Sequence, residues 1–515
     1  MNLHVDYNLA GSLVPDLIGM SSLRYPDKVA VDVDGDALTF AELSDRASRL
    51  AGALDKRGLK KGDRVAILAL NERAFLEVRV GVQRAGMILV PLNYRLAEKE
   101  LALILEDCAP EILIVGSDFE ELVTRLPVTQ VLRLGGVDDS GQSYELMLAS
   151  AEAMAVPAGY PPEDICHISY TSGTTARAKG VMLSNRSVHH GTMAMGHEIG
   201  AYPEAVFLAS TPLFHVGSQV GYSFTYLGGT HVQMRKFDTA GFLATLDRTK
   251  ATHCQLVPSM IQMVLDSWGD RGNSSLQCVL YGAAPMPPAL LRNALDKLGC
   301  KFVNGYGSTE SMGISFLSPH EHDPDRSPEL LASVGRSSSL SSSRIVDEND
   351  NDVGPGVTGE VLARGPALMS GYWQQPTVTK EALRGGWMHT GDLAYRNEDG
   401  YLFLVDRKDD KIVTGGENVF PSEIEQVILS HPHVNEAAII GVPDRTWGEA
   451  VGAIVVLREG AAVSEQDITA HCRESLAGYK VPKYVRFYEG ALPRNPTGKL
   501  LRRALRDEWP TLSAT

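Results

Sequence analysis

The chain has 515 residues, 44% hydrophobic and 22% charged, with 48 Lys plus Arg against 63 Asp plus Glu for a formal net charge of -15. That length exceeds the size at which single cores stop growing, so two or more domains are expected; the composition excludes disorder as the default, and the negative charge argues against a nucleic-acid partner. No apolar run approaches the roughly 18 residues of a membrane span, and the start Met1-Asn2-Leu3-His4-Val5-Asp6 lacks a signal-peptide pattern, so the chain is expected to be cytoplasmic, with no transmembrane segment.

In chain order, the first 160 or so residues alternate helical and strand-like segments, as in the helical pattern Thr39 to Arg57 followed by the apolar run Val65 to Leu70. This alternation predicts a parallel sheet flanked by helices. The rhythm returns after Asp164, with strands predicted at Ile165 to Tyr170, Val206 to Ser210 and Cys278 to Tyr281. From about 333 to 406 short strands are separated by turn residues such as Gly354-Pro355-Gly356 and Asn397-Glu398-Asp399-Gly400, which predicts a small β-barrel or sandwich. The serines from Ser337 to Ser343 read either as a flexible linker or as a surface loop and edge strand. The charged run Arg407 to Lys411 marks the expected boundary between a domain of residues 1–408 and one of 409–515. The six cysteines, Cys108, Cys166, Cys254, Cys278, Cys300 and Cys472, stand singly, with no C-x-x-C pair, and read as reduced core thiols.

The strongest motif is Tyr170-Thr171-Ser172-Gly173-Thr174-Thr175-Ala176-Arg177-Ala178-Lys179-Gly180, a hydroxyl-rich loop directly after a predicted strand. Backbone N–H groups and hydroxyls in such a loop donate to phosphate oxygens, and Lys179 supplies a positive charge. It is not a Walker A loop, because no Gly-Lys-Ser/Thr follows at the required spacing. Asn304-Gly305-Tyr306-Gly307-Ser308-Thr309-Glu310 follows another strand and offers a stacking ring, a phosphate donor and a hard oxygen ligand for Mg²⁺, although alone it is also an ordinary strand-to-helix connection. Asp392, in Thr390-Gly391-Asp392, stands where an acid accepts from vicinal ribose hydroxyls, with Arg407 as a further donor; alone, the acid also reads as a turn cap and the arginine as part of a solvated face. Pro496-Thr497-Gly498-Lys499 holds a lysine on a restricted loop, which by itself also suits an isolated surface charge.

Taken together and in this order, these motifs, with Asp406 to Ile412 and Gly415-Gly416-Glu417-Asn418, resemble the adenylate-forming superfamily of acyl- and aryl-CoA synthetases, peptide-synthetase adenylation domains and luciferases. The resemblance covers nearly the whole chain. It implies an α/β fold: a large N-terminal domain of two α/β subdomains plus a small β-barrel, then a small mobile α+β C-terminal domain hinged at Asp409. It also implies ATP, Mg²⁺ and coenzyme A as cofactors and a small carboxylic acid as substrate. By the resemblance Thr171, Ser172, Gly173, Thr174, Thr175 and Lys179 hold the ATP phosphates, and Glu310 binds the metal. Gly282, Ala283 and Tyr306 frame adenine, Gly307 is a further ATP/AMP-binding residue, Thr309 meets the α-phosphate, and Asp392 and Arg407 hold the ribose. Lys499 bridges the carboxylate and the α-phosphate, while Gly415, Gly416 and Trp447 meet coenzyme A. His215, Gly217, Ala284 and Gly313 border the acid, for which a hydrophobic fatty or aromatic compound is expected because these segments carry no charge besides Glu310.

One departure stands out: Ala176, Arg177 and Ala178 occupy positions where the family loop reads Gly, any residue, Pro. A positive φ at Ala176 would cost on the order of 1 kcal/mol, and the double change Ala176→Gly with Ala178→Pro tests whether ATP kinetics feel it. No carrier domain follows Thr515, which favours free coenzyme A as acceptor; the alternatives are a carrier-protein thiol, an amine or another small nucleophile. An inactive nucleotide or acyl-ligand binder is disfavoured by the retained Lys179, Glu310, Asp392 and Lys499. A nicotinamide-dependent oxidoreductase lacks its G-x-G-x-x-G. A homodimer is compatible with the chain.

Overall fold

In the computed structural model the described residues are 13–135, 142–171, 178–215, 218–269, 271, 274–414, 417–494 and 500–511. The chain forms two compact units, one of Met1–Ser342 with Ala363–Met388, the other of Ser343–Leu362 with His389–Thr515.

The first unit holds two sheets. One has seven strands in the order Gly371–Tyr372, Lys179–Ser184, Ile165–Thr171, Ile88–Pro91, Arg64–Leu68, Ile112–Val115, Val131–Arg133. Its central strands are parallel and buried on both faces, which is why they read as unbroken apolar runs. Val65 and Ile67 pack with the helices Phe40–Lys56 and Ala74–Arg84, while Ala66 and Leu68 face the helix Glu98–Cys108. The helix Phe40–Lys56 starts at a capping box, with the Glu42 amide donating to Thr39 Oγ1 at 3.2 Å and the Thr39 amide donating to Glu42 Oε2 at 2.8 Å.

The second sheet has nine strands in the order Arg336–Ser337, Ser315–Leu317, Lys301–Tyr306, Cys278–Gly282, His253–Leu256, Val206–Ala209, Thr230–Gln233, Val29–Val33, Asp36–Thr39. Leu208, Val279 and Phe302 pack toward the helices Thr239–Thr249, Pro258–Ser267 and Pro288–Leu298; Phe207, Leu280 and Val303 pack on the opposite side with Met195 and Phe224. Alternation of this kind along each strand makes two cores from one sheet. The serine cluster is a packed loop entering a strand: Ser338 is buried, its amide donates to the Ile314 carbonyl at 3.0 Å, and Ser341 Oγ donates to the same carbonyl at 2.6 Å.

In the second unit, the barrel expected from about 333 to 406 is, among the described residues, a four-stranded sheet in the order Ser342–Val346, Gly359–Arg364, Met388–Arg396, Leu402–Arg407. A further sheet of five strands pairs Val434–Asp444 with Gly448–Leu457 and carries the helices Pro421–Leu429 and Glu465–Arg473 against one core and Arg502–Glu508 against another. Among the described residues no helix is long and apolar enough to cross a membrane.

Candidate active site

Thr171 ends the strand Ile165–Thr171 and Lys179 begins the antiparallel strand Lys179–Ser184, and the two are directly paired. The register therefore brings together the two ends of the hydroxyl-rich segment, whose Ser172, Gly173, Thr174, Thr175, Ala176 and Arg177 lie outside the described residues. The Lys179 ammonium sits 5.1 Å from the centre of the Tyr372 ring, and the Tyr372 hydroxyl donates to Glu310 Oε1 at 3.0 Å. Lys179 and Glu310, far apart in the chain, thus converge on a tyrosine that sequence reading did not single out, with Thr171 paired beside Lys179.

Glu310 and Thr309 lie on a tight turn that follows the strand Lys301–Tyr306. The Met312 amide donates to the Ser308 carbonyl and the Ile314 amide to the Tyr306 carbonyl, both at 2.8 Å. A Cβ at Gly307 would come within 2.6 Å of the Met312 carbonyl, so this turn closes only with glycine there. The Glu310 carbonyl accepts from the Met369 amide at 2.8 Å, tying the turn to the segment that carries Tyr372. On the neighbouring strand, Gly282 faces the Gly305 carbonyl so closely that a Cβ would lie 2.3 Å from it, and exposed Ala283 follows at φ +64°. Left-handed backbone at an L-residue costs roughly 1–2 kcal/mol, a strain that clusters at ligand-binding turns. Ala284 is half-buried beside it.

His215 packs against Phe214 at 4.2 Å between ring centres. Its Nε2 is buried without a hydrogen-bond partner among the described residues, and burial, aided by Arg95, lowers its pKa to about 4, so the ring is neutral near pH 7. Buried Asn71 fixes the approach to this ring: its amide donates to the Thr211 and Met234 carbonyls, and its oxygen accepts the Leu213 amide at 2.8 Å. Gly217 lies outside the described residues. Gly313 packs under Phe316, and Met312 fills the space beside Gly191, where a Cβ would meet its sulfur at 2.4 Å.

In the second unit, Asp392 corrects an expectation: it lies inside the strand Met388–Arg396 rather than at a turn, directly opposite Arg407, whose Nε donates to Asp392 Oδ1 at 2.7 Å. Gly391 keeps φ +70° within this strand; its amide donates to Glu360 Oε1 at 3.1 Å, while Lys408 reaches Glu360 Oε2 at 3.0 Å. Burial pushes the Glu360 carboxyl up, but Lys408, the Gly391 amide and His389 hold it below the usual carboxylate range.

The backbone of Asp409 lies in a single 3₁₀ turn, Lys408–Asp410, held on both sides. Before it, Asp406 Oδ2 accepts the Ser422 amide at 2.9 Å at the start of the helix Pro421–Leu429. After it, Asp410 meets Arg502 and Arg506, each at 3.3 Å, and Arg502 also grips both oxygens of Glu425 at 2.8 Å. Trp447 is 52% exposed on a turn built around Asp444, which accepts the Thr446 and Trp447 amides at 2.9 and 3.0 Å and pairs with Lys483. Lys483 first, then those amides, holds the Asp444 carboxyl well below its usual range. Thr414 pairs with Gly448, so this turn adjoins the strand Ile412–Thr414; Gly415 and Gly416, like Lys499, lie outside the described residues.

Residues 20–373 match the family model described as AMP-binding enzyme, and residues 423–499 match the AMP-binding enzyme C-terminal domain. The chain belongs to the AMP-binding enzyme family. Among its relatives are a feruloyl-CoA synthase of Amycolatopsis sp, 37% identical with 93% of this chain and 96% of the relative covered, and the fatty acid–[acyl-carrier-protein] ligase ScoC of Streptomyces coeruleorubidus, 35% identical with 94% of each covered. The solved o-succinylbenzoate CoA synthetase (MenE) from Bacillus subtilis, in complex with the acyl-adenylate intermediate OSB-AMP, is 30% identical, covers 96% of this chain and 99% of its own, and superimposes with a TM-score of 0.87. The groups missed by sequence reading, Tyr372, Asn71 and Glu360, share a cause. Each acts through a partner in another segment, and none belongs to a run of residues with chemistry of its own.

Proposed function

We propose that this member of the AMP-binding enzyme family is an ATP-dependent acid–thiol ligase that adenylates a hydrophobic carboxylic acid, fatty or aromatic, and passes the acyl group to coenzyme A. The observation that carries the reading is the convergence of Lys179, paired with Thr171, and Glu310 on Tyr372. The likeness to feruloyl-CoA synthase and to the CoA synthetase of Bacillus subtilis supports the acceptor and the class of acid. The compartment is cytoplasmic, and a homodimer is compatible with the reaction.

Glu310 fits a hard divalent cation, because a carboxylate with one oxygen held by a neutral phenol keeps its full charge and a second oxygen to offer. Bound magnesium supplies positive charge against the polyphosphate. The chain supplies the rest: Thr171 with Ser172, Gly173, Thr174 and Thr175 donates to phosphate oxygens, Lys179 adds a cation, and Thr309 meets the α-phosphate. Gly282, Ala283 and Tyr306 frame adenine, and Gly307 is a further ATP/AMP-binding residue. Asp392, oriented by Arg407, accepts from the ribose hydroxyls.

In the first step a carboxylate oxygen of the acid attacks the α-phosphorus and the bond to pyrophosphate breaks, giving acyl-AMP and pyrophosphate. Two anions must meet, and Lys499 offsets their repulsion while aligning them. Neutral His215, with Gly217, Ala284 and Gly313, borders the acid without adding a charge that would bind the carboxylate too tightly. In the second step the thiol sulfur attacks the acyl carbonyl, the bond to AMP breaks, and the thiol proton leaves to solvent. The domain of residues 409–515 turns about Asp409 between the steps and presents Gly415, Gly416 and Trp447 to the thiol carrier.

Pyrophosphate release from ATP and Mg²⁺ across aliphatic and aromatic acids, with and without coenzyme A, tests this. Lys499→Ala is expected to lower acid-dependent release by about 10²–10³, with acyl-CoA forming only when coenzyme A is present. Release without acyl-CoA would move the acceptor to a carrier-protein thiol, which the likeness to ScoC favours as second reading. No release with any acid would remove the ligase reading.

A further inference from the structure

Tyr372 belongs to a two-residue strand, Gly371–Tyr372, paired antiparallel with Met182 and Val181 of the strand that Lys179 begins. Its backbone is fixed on three sides: its own amide donates to Thr379 Oγ1 at 2.8 Å, the Trp373 amide to the Gly180 carbonyl at 2.7 Å, and the Ser370 amide to the Met182 carbonyl at 2.9 Å. The side chain is 8% exposed. A tyrosine held this way has little freedom to swing, so what its two polar features touch is set by the sheet.

Those features point to two groups of opposite charge. The hydroxyl donates to Glu310 Oε1 at 3.0 Å, and the Lys179 ammonium lies 5.1 Å from the ring centre. We propose that Tyr372 is a positioning residue that holds the metal-binding carboxylate and the phosphate-binding ammonium apart and in register, a role that rests on the adenylating reading above. A carboxylate rotates broadly about its last bond; one donated hydrogen bond fixes it and leaves the second oxygen for a cation. The donor is neutral, so it orients Glu310 without cancelling the charge that a cation needs, as a lysine or arginine in its place would. The ring face attracts the ammonium through its quadrupole, which gives Lys179 a resting place that does not consume its charge. Without the phenol the shortest route to satisfy both groups is an ion pair with each other, which spends both.

The two features can be removed separately. Tyr372→Phe deletes the hydroxyl and keeps the ring; Tyr372→Leu deletes both. The measurement is calorimetric binding of a non-hydrolysable ATP analogue to the full chain, with Mg²⁺ and with chelator. Tyr372→Phe is expected to cut the Mg²⁺-dependent gain in affinity by about threefold to tenfold and to leave binding in chelator unchanged, whereas Tyr372→Leu also weakens binding in chelator. In a Glu310→Gln background Tyr372→Phe is expected to have no further effect on the Mg²⁺-dependent gain, a cycle that stands even if the leucine variant does not fold. An unchanged Mg²⁺-dependent gain in Tyr372→Phe, or an equal loss with and without Glu310, overturns the positioning role alone. No nucleotide binding by the wild-type chain overturns the adenylating reading and this role with it.

Discussion

The two units arrange the groups proposed to meet the nucleotide in different ways. In the second unit Asp392 and Arg407 face each other across adjacent strands, and Glu360 takes the Gly391 amide from the neighbouring strand and Lys408 from the turn that follows Arg407. The ladder itself aims the side chains. In the first unit Thr171, Lys179, Thr309 and Glu310 stand at strand ends and on a turn, and Lys179 and Glu310 meet a phenol 62 positions from the carboxylate that accepts its hydrogen bond. Groups in a ladder are placed by backbone pairing; groups at strand ends need a side chain from elsewhere to finish the work.

The largest effect that would sharpen this contrast is an acid sensitivity between pH 7 and 5 that is greater in the first unit than in the second. Burial holds His231 and His322 down to about 4 and His167, with Arg79 nearby, to about 3, all in that unit. Each is neutral when folded but titrates near 6.5 when unfolded, so the unfolded state binds more protons as pH drops below 6.5. Stability is complete above that pH and is lost toward pH 4, by at most about 1.4 kcal/mol per pH unit for each histidine. Hydrogen-exchange protection, taken relative to the intrinsic rate at each pH, should fall between pH 7 and 5 in first-unit segments before second-unit ones; an equal fall in both would break the comparison.

Next in size, Arg407→Ala should weaken ATP binding by about 1.5–3 kcal/mol through loss of a charged hydrogen bond to Asp392, while Arg407→Lys recovers part of it. Titration of the nucleotide checks this, and an unchanged affinity would mean that ladder pairing alone orients the acid. Smallest, Ala283→Gly should relieve about 1 kcal/mol of left-handed strain and raise the melting temperature. A lower melting temperature would show that the extra freedom of glycine in the unfolded chain outweighs the strain.

Much of the fold was legible because buried parallel strands write themselves as apolar runs and helix starts follow local rules: the predicted helix Thr39 to Arg57 is Phe40–Lys56 with Thr39 as its cap. The end of the strand Ile165–Thr171 was readable within one residue, since a hydroxyl-rich segment follows it, whereas the strand that Lys179 begins was not predicted. Asp392 was placed on the wrong local structure because Thr-Gly-Asp carries the composition of a turn, whereas Gly391 keeps a left-handed conformation inside a strand. Tyr372 sits in Gly-Tyr-Trp-Gln-Gln-Pro, where no period marks a strand and no neighbour hints at an acid 62 residues earlier. Contacts made by tertiary closure leave no local trace.

The cysteines carry a consequence for an enzyme that activates acids. Burial pushes the thiols of Cys108, Cys166, Cys278 and Cys300 up to about 12 and that of Cys472 to about 11, and raises Cys254 well above its usual value. An acyl adenylate is an anhydride that any accessible thiolate would intercept. With its thiols kept protonated, five of them buried and Cys300 half-buried, the protein is a poor target for its own product, and activated acid reaches an outside thiol without first acylating the catalyst.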